Sequence, residues 1–176
     1  MVKFSKLLGY TLFFLLALIY FMPKSSLYYY AEEQLQKFKI VLSGEKIQED
    51  IFSLKLHHTT ISYDSVESAS VQEIDMKIFF LYNSLQMQDI ELSQMAAAFI
   101  PLHIDSVDVK YTLLNPLYVV THSKGEFGEA DIKISILDRN MSMVVVPSEM
   151  MLQKYQSTLH MLKKNEEGEY HYDKAF

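Results

Sequence analysis

The chain has 176 residues, a formal net charge of -6 and no cysteine. The lack of cysteine excludes disulfides, thiolate zinc sites and a cysteine nucleophile. The charges are spread along the chain without a cluster of Lys and Arg, which argues against nucleic acid as a partner and disfavours contact with anionic lipid head groups.

The first apolar run, from Leu7 to Met22, predicts a membrane segment. As a helix this uncharged run spans about 24 Å, which is close to the thickness of a bilayer core. Its side chains leave no polar face, which argues against a buried helix of a soluble protein. We therefore predict that residues 1–24 are a signal anchor that forms a single N-terminal transmembrane helix.

A cleaved signal peptide is the alternative, because Lys3 and Lys6 precede the apolar run. Cleavage requires small residues after the run, whereas residues 20–22 are bulky, so a retained anchor is favoured. The two lysines also favour an N-inside orientation, although Lys24 on the other flank weakens the asymmetry. The rest of the chain is then expected on the extracytoplasmic side.

Residues 25–38 predict an amphipathic juxtamembrane helix that is capped by Ser25 or Ser26. The residues that recur at helical spacing are Leu27, Tyr30, Ala31, Gln34, Leu35 and Phe38. Two positions remain open for this helix. It lies either in the membrane interface, where the tyrosines at 28–30 suit the head-group level, or against the sheet of the following domain.

Residues 39–176 predict an extracytoplasmic β-rich domain, because the apolar period changes there from 3.6 to 2. The predicted fold class is mainly β (β-rich α+β), an antiparallel sheet domain with flanking short helices behind the anchor. The predicted strands cover residues 40–42, 47–63, 71–82, 85–92, 107–113, 117–121, 132–136, 141–146 and 170–176. The predicted short helices cover residues 94–100 and 148–164.

Two predicted strands change the face on which their apolar residues lie. Leu54 and Leu56 have one parity and Ile61 has the other, which predicts a bulge or break near residues 57–60. A second step of this kind precedes Ile90. Turns or bulges are predicted at residues 43–45, 64–65, 83–84, 115–116, 125–128 and 138–140.

The predicted strand over residues 71–82 ends with apolar residues on both faces. Phe80 and Tyr82 continue its core-facing side, while Phe79 and Leu81 lie on the opposite side. An apolar pair on that side predicts coverage by a helix or by another protein. Phe79 and Leu81 are therefore the candidate partner-binding residues.

No constellation typical of an enzyme occurs in the sequence. His57 and His58 point to opposite faces of a strand and cannot share an ion, and the other histidines stand alone. Catalytic and phosphate-binding motifs are absent, and acidic pairs such as Glu49 and Asp50 lie where solvated loops are expected. We predict no catalytic residues, no cofactor and no metal. The methionines at 141, 143, 150 and 151 either fill the core or line an adaptable apolar groove.

The order of a short basic N-terminus, a signal anchor, a small amphipathic helix and a run of alternating strands resembles the GspN family of type II secretion. The stretches that carry this resemblance are Pro23 to Ser43, Gly125 to Ile136 and Met141 to Ser148. That family is similar in architecture to AsmA-type and LptC-type envelope proteins. The resemblance implies a single-pass protein of the bacterial inner membrane, whose periplasmic β domain supports a secretion or envelope-assembly machine without catalysis.

Three functional hypotheses follow. The preferred one is a non-catalytic scaffold or assembly protein whose partners are the inner membrane and other envelope or secretion-machine proteins. The second is a carrier of lipid or another apolar ligand, in which the sheet forms a groove as in AsmA-like and LptC-like proteins. The third is a subunit of a pilus or secretion platform, since such subunits carry small α+β domains behind an anchor.

Overall fold

A computed structural model describes residues 2–79 and 81–176 of the chain. These residues form an 11-stranded antiparallel sheet with short helices, which confirms the predicted β-rich class. The strands are β1 (Ile40–Ser43), β2 (Lys46–Glu49), β3 (Leu54–Tyr63), β4 (Val66–Ile78), β5 (Tyr82–Leu92), β6 (His103–Thr112), β7 (Tyr118–Gly125), β8 (Gly128–Ser135), β9 (Asn140–Pro147), β10 (Lys163–Lys164) and β11 (Tyr170–Ala175). The helices are α1 (Val2–Tyr20), α2 (Lys24–Lys37), α3 (Glu149–Lys154) and α4 (Gln156–Leu159), with a 3₁₀ helix at Gln94–Ala98.

The sheet is a meander in which chain neighbours are also neighbours in space from β3 to β9. The strand order is β1-β3-β4-β5-β6-β7-β8-β9-β11-β10, and β2 pairs with β3 on the same edge as β1. Successive turns therefore alternate between two ends of the sheet. We call the end with the turns after β2, β4, β6 and β8 the near end, and the opposite end the far end.

One face of the sheet is apolar, because the strands alternate in phase. Cross-strand pairing aligns Leu56, Ile74, Met87, Val107, Ser123, Ala130, Val145 and Tyr170 in one row. The next row toward the near end contains Leu54, Met76, Leu85, Val109, Thr121, Ile132, Met143 and Tyr172. Charged and polar side chains occupy the other face, as expected for an antiparallel sheet with one buried side.

The predicted changes of parity are confirmed in β3 and β5. His58 has a φ of 58° and Asp89 a φ of 51°, both in the left-handed region. Each residue interrupts the alternation, so that Leu56 and Thr59 are both buried although they are three positions apart. The irregularities keep a single apolar face along strands that would otherwise turn their apolar side chains to solvent.

Helix α2 packs on the apolar face at the β3 end through Tyr28, and not through the predicted stripe, of which Leu27, Tyr30 and Phe38 are exposed. Tyr28 is only 3% exposed and belongs to a core cluster with Leu54, Leu56 and Ile74. Its hydroxyl donates a hydrogen bond of 2.9 Å to Glu45. Burial, followed by this hydrogen bond, raises the pKa of Tyr28.

The start of α2 differs from the prediction of a serine cap. The helix begins at Lys24 after Pro23, and neither of the predicted serines caps its first turn. The Ser25 hydroxyl is instead hydrogen-bonded to the Glu49 carboxylate. Together with bonds from the Lys24 and Ser25 backbone N–H groups, this contact lowers the pKa of Glu49 and ties α2 to β2.

Large apolar side chains of helix α1 between Phe4 and Leu18 are exposed, with Phe13 at 73%. Among the residues that the structure describes, none of the helices combines the length and the apolar character needed to cross a membrane. The predicted transmembrane helix is therefore not supported.

Two predicted strands have different bounds. The chain turns at residues 50–53, where the Asp50 N–H donates to the Ser53 carbonyl, so residues 47–63 form the hairpin of β2 and β3. It turns again after β4, where the Phe79 N–H donates to the Tyr82 carbonyl, so the turn predicted at residues 83–84 is wrong. The tips of both turns are apolar, which hid them from a search for polar turn residues. Phe80 lies outside the described residues.

The predicted helix over residues 148–164 is divided into α3, α4 and the strand β10. The chain leaves the helical conformation at Tyr155, which has φ -121° and ψ 32°. Lys163 and Lys164 then pair with β11, so that the predicted edge strand at residues 170–176 has β10 outside it. The short helix predicted at residues 94–100 is confirmed in its 3₁₀ form.

Candidate functional site

A cavity lies on the apolar face of the sheet, under the segment that contains α3 and α4. Its volume is about 540 Å³. The sheet contributes the wall residues Val107, Thr121, Ala130, Ile132, Met143 and Val145. The opposite wall consists of Ile100, Met151, Leu159, Met161 and Leu162. Strands β6 to β9 thus form the floor, and the chain that follows β9 forms a cover.

Specific hydrogen bonds hold this cover in place. Ser148 caps α3 by accepting a 3.2 Å hydrogen bond from the Met151 N–H, and its hydroxyl donates to the Glu126 carbonyl at 2.5 Å. The Thr158 hydroxyl donates to the Phe99 carbonyl at 2.6 Å. The cover is therefore attached both to the β7–β8 turn and to the segment after the 3₁₀ helix.

The cavity wall contains no charged side chain, and its polar groups are few. Two of its hydroxyls are already bonded within the protein: Ser123 donates to the Ala130 carbonyl at 3.3 Å, and Thr158 to Phe99. The wall contains no carboxylate, imidazole or ammonium group. It suits an apolar ligand, because ligand pockets of 300–1,000 Å³ are typically lined by apolar side chains with few polar groups.

The apolar face continues beyond the cavity toward β3. A second apolar cavity of about 200 Å³ lies near the near end and includes Met76, Ile78, Leu85 and Val109 in its lining. These side chains are half-buried, unlike those under Tyr28. From β3 to β9 the face extends over six strand spacings, or about 29 Å. This length exceeds the thickness of one acyl layer of a bilayer, which is about 15 Å, half of the hydrocarbon core.

The structure places the clustered methionines partly at this site. Met143 and Met151 face each other across the cavity, and Met141 lies on the same face of β9 as Met143. Met150 is not among the cavity residues. The apolar-groove interpretation of the cluster therefore applies to Met143 and Met151, which also belong to the surrounding core cluster.

Phe79 and Leu81, the predicted partner-binding residues, lie together in the turn after β4. Leu81 is 53% exposed, whereas Phe79 is half-buried against the Phe52 ring, with centroids 6.0 Å apart. They are at the near end and outside the main cavity. Their role in partner binding stays a prediction.

Three histidines, His103, His122 and His171, lie within ion-pair distance of carboxylates. His103 contacts Glu91 through Nδ1 at 2.7 Å and Asp105 through Nε2 at 3.2 Å. The hydrogen bond to Glu91, with the charges of Glu91 and Asp105, raises the pKa of His103 despite the opposing effect of partial burial. Within the described residues no group of three or more His, Asp or Glu side chains is arranged to hold a metal ion.

Replacing His103 by glutamine is expected to lower the free energy of unfolding only at acidic to neutral pH. A raised folded pKa means that the charged imidazole stabilises the fold below its ordinary value of about 6.5, and that this contribution is lost as pH rises through the folded pKa. The loss should be at most about 1 kcal/mol, because the partly exposed pair is screened by solvent. Urea unfolding at several pH values, with exposed His160→Gln as the control, measures it. An equal loss at every pH would contradict the expectation.

The floor residues Thr121 and Ile132 were not identified from the sequence as site residues. Their alternation predicts the face on which they lie, but it does not predict which part of that face lines a cavity. That depends on where α2 and the segment after β9 pack, and these contacts join distant parts of the chain.

The fold and the cavity define a class of protein: an open, one-sided antiparallel meander that carries an apolar cavity on its covered face. Comparison with protein-family models, with curated proteins and with solved structures finds no match to this chain. The resemblance to the GspN family stays a prediction.

Proposed function

We propose that this chain is a membrane-attached protein that holds an elongated apolar ligand, such as the acyl chain of a lipid, on the apolar face of its sheet. The observation that carries this proposal is the cavity of about 540 Å³ with an uncharged wall. The half-buried apolar surface beside it, toward β4 and β5, extends the site beyond the cavity itself.

Simple energetics favour a long ligand over a small one. Each methylene that leaves water contributes about 0.8 kcal/mol, so burying about ten of them contributes about 8 kcal/mol. Association itself costs about 4–15 kcal/mol in lost translational and rotational freedom. A ligand that fills only part of the face would bind weakly, whereas an acyl chain that follows several strands would bind well.

Attachment to a membrane is the second part of the proposal, and α1 supports it. Phe13 and Phe21 are 73% and 77% exposed, and most other large apolar side chains of residues 4–21 are exposed as well. An apolar surface of this extent is unfavourable in water. We propose that α1 is embedded in a bilayer, and that this bilayer is the bacterial inner membrane with the sheet in the periplasm.

Replacing Thr121 by tryptophan is expected to weaken ligand binding at least about tenfold, which corresponds to a loss of about 1.4 kcal/mol. Thr121 lies on the cavity floor in the central strand β7, so the indole occupies the space of the ligand. Val120→Trp is the matched control, because Val120 is the adjacent residue and points to the exposed side of the sheet. Titration of the full chain with cis-parinaric acid, a fluorescent fatty acid, measures the change.

Two results would overturn the apolar-ligand proposal. One is equal binding of the fatty acid by the Thr121→Trp and Val120→Trp variants. The other is the absence of stoichiometric lipid when gently extracted protein is analysed by mass spectrometry. The scaffold and platform-subunit hypotheses would then be preferred, and until such a result they stay predictions from the sequence.

A further inference from the structure

The turns at the near end of the sheet carry exposed apolar side chains. Leu114 in the β6–β7 turn is 86% exposed, and Leu137 in the β8–β9 turn is 71% exposed. The exposed apolar residues that we call the rim are Phe52, Leu81, Leu114, Leu117, Leu137 and Phe176. Turn tips normally favour small or polar residues, so an apolar residue at each of these turns calls for a functional explanation.

The rim is continuous, because each of its turns contacts the next. The Phe52 and Phe79 rings join the first two turns. The Leu113 N–H donates to the Leu81 carbonyl at 3.0 Å, and the Ile136 N–H donates to the Leu117 carbonyl at 2.8 Å. Phe176 closes the row with a 2.9 Å hydrogen bond from its N–H to the Arg139 carbonyl. The rim therefore forms one surface along the near end.

Helix α1 adjoins this surface. Ile51 and Phe52 share the lining of one cavity with residues of α1 that extend from Phe13 to Tyr20. Seven helical positions separate Phe13 from Tyr20, a distance of about 10 Å along the helix axis. The first turn of the rim therefore lies beside the last two turns of α1, and not only beside the final residue of that helix. Any apolar medium that surrounds α1 also reaches Phe52.

A row of lysines lies just behind the rim on the polar face. Cross-strand pairing places Lys77, Lys110 and Lys133 in one row, with Ser84 and Val120 between them. Lysines on alternate strands are about 10 Å apart. Asp173 ends the row, and Asp75 lies 3.6 Å from Lys77. Asp75, Asp108 and Asp131 lie in the next row on this face, farther from the rim, so the three lysines are nearer to the rim than these carboxylates. The Lys133 ammonium lies 4.0 Å from the centre of the Tyr118 ring.

We propose that the rim docks on the surface of an anionic phospholipid bilayer. The apolar tips enter the boundary between head groups and acyl chains, and Lys77, Lys110 and Lys133 contact the phosphates. Apolar tips flanked by cations and tyrosines are the combination that membrane interfaces favour. The inference rests on the proposed function, since α1 must hold the chain at a membrane. It adds to the proposed function the surface from which the ligand enters.

The rim also connects the bilayer to the ligand site. A further row of this face lies between the rim and the floor of the cavity, and from β6 to β8 it consists of Tyr111, Val119 and Ile134, with Asn83 and Ile78 on β5 and β4. An acyl chain that leaves the bilayer at the rim therefore meets apolar side chains along its path. The sequence alone disfavoured anionic lipids because the three lysines lie on different strands, and only the register of the sheet aligns them.

The chain has no cysteine, so a single introduced cysteine gives a unique labelling site. Leu81→Cys, Leu114→Cys and Leu137→Cys, each labelled with the fluorophore NBD, report on the rim in the full chain reconstituted into phosphatidylglycerol vesicles. Val66→Cys and Met95→Cys are matched controls, since both residues are exposed and apolar but lie at the far end. Leu12→Cys reports on α1.

The rim labels are expected to shift their emission to the blue and to be quenched by phospholipids with a doxyl group on the acyl chain, while the far-end labels do neither. Rim labels that behave like the far-end labels, although the Leu12 label is quenched, would overturn the docking and leave membrane attachment intact. If the Leu12 label also stays in water, attachment fails and the docking fails with it. Unlabelled rim cysteines that form disulfides between two copies of the chain in the vesicles, together with rim labels that the doxyl lipids do not quench, would assign the rim to another copy of the chain and would also overturn the docking.

The lysine row is tested by the triple variant Lys77→Gln, Lys110→Gln and Lys133→Gln with the label at position 114. Each lysine near an anionic surface is worth about a fivefold change in affinity, so the variant should lose most of the quenching in phosphatidylglycerol vesicles. High salt should reproduce this loss in the unmodified chain, because it screens exposed charges. Unchanged quenching in both conditions would overturn the role of the lysines.

Discussion

Replacing Gly128 by alanine is expected to destabilise the fold by about 4 kcal/mol or more, a large part of a typical total of 5–15 kcal/mol. A Cβ atom at this position would lie 2.2 Å from the Val146 carbonyl oxygen and 2.7 Å from the Ser148 nitrogen, both backbone atoms. The φ of 109° adds strain, because L-residues rarely adopt it. Urea unfolding of the full chain in detergent, followed by circular dichroism, measures the loss.

Gly168→Ala is the matched control for the Gly128 variant. Gly168 also has a positive φ, 90°, but a Cβ atom there would have nothing within 4 Å. Only the backbone strain of about 1–2 kcal/mol is then expected. Equal losses of stability at the two glycines would mean that the close approach of the β9 backbone to Gly128 does not prevent a larger residue at position 128. A displacement of Ser148 by the new Cβ atom would also alter the ligand cavity, because Ser148 begins the segment that covers this cavity.

The alternation of apolar residues predicted the strands and their irregularities well. One buried face imposes a strict parity on every strand, so a change of parity must be accompanied by a local irregularity of the backbone. This constraint located the irregularity at His58 and the one before Ile90 without any knowledge of the partners of these strands. The glycine pair at 125 and 128 was likewise predicted as a turn, and it closes the hairpin of β7 and β8.

The turns at the near end were predicted poorly for a physical reason. Prediction of a turn relies on polar residues, glycine and proline, whereas Ile51, Phe52 and Leu81 are apolar. Those residues read as continuations of strands, which is why residues 47–63 were joined and β4 was extended to Tyr82. The proposed docking of the rim would account for the discrepancy, since an apolar tip is unfavourable in water but suits the surface of a bilayer.

The ligand site could be predicted only as a face and not as a cavity. Residues at the floor, such as Thr121, follow the same alternation as the buried core residue Leu56. What distinguishes them is the packing of Tyr28 over one half of the face and of Met151 and Leu159 over the other. These contacts join segments that are far apart in the chain, and a local pattern contains no information about them.

Replacing Tyr28 by alanine is expected to lower the free energy of unfolding by about 3–5 kcal/mol, the usual range for removing a buried aromatic side chain. Tyr28 is 3% exposed and packs against Leu54, Leu56 and Ile74, so its loss leaves a cavity between α2 and the sheet. Tyr29→Ala is the control, because Tyr29 is the next residue and is 55% exposed. Its change should stay within about 0.5 kcal/mol.

Tyr28→Phe separates the contribution of the ring from that of the hydroxyl. It removes only the 2.9 Å hydrogen bond to Glu45 and should cost about 1 kcal/mol, since Glu45 can then bind water. Hydrogen exchange of residues 24–37 should increase in the alanine variant more than in the phenylalanine variant, because α2 loses its attachment to β3. Equal stabilities of the Tyr28→Ala and Tyr29→Ala variants would contradict the packing of α2 on the sheet. Helix α1 directly precedes α2 in the chain. Without the packing of α2 on the sheet, the proposed position of α1 and of the rim beside a bilayer would need another structural basis.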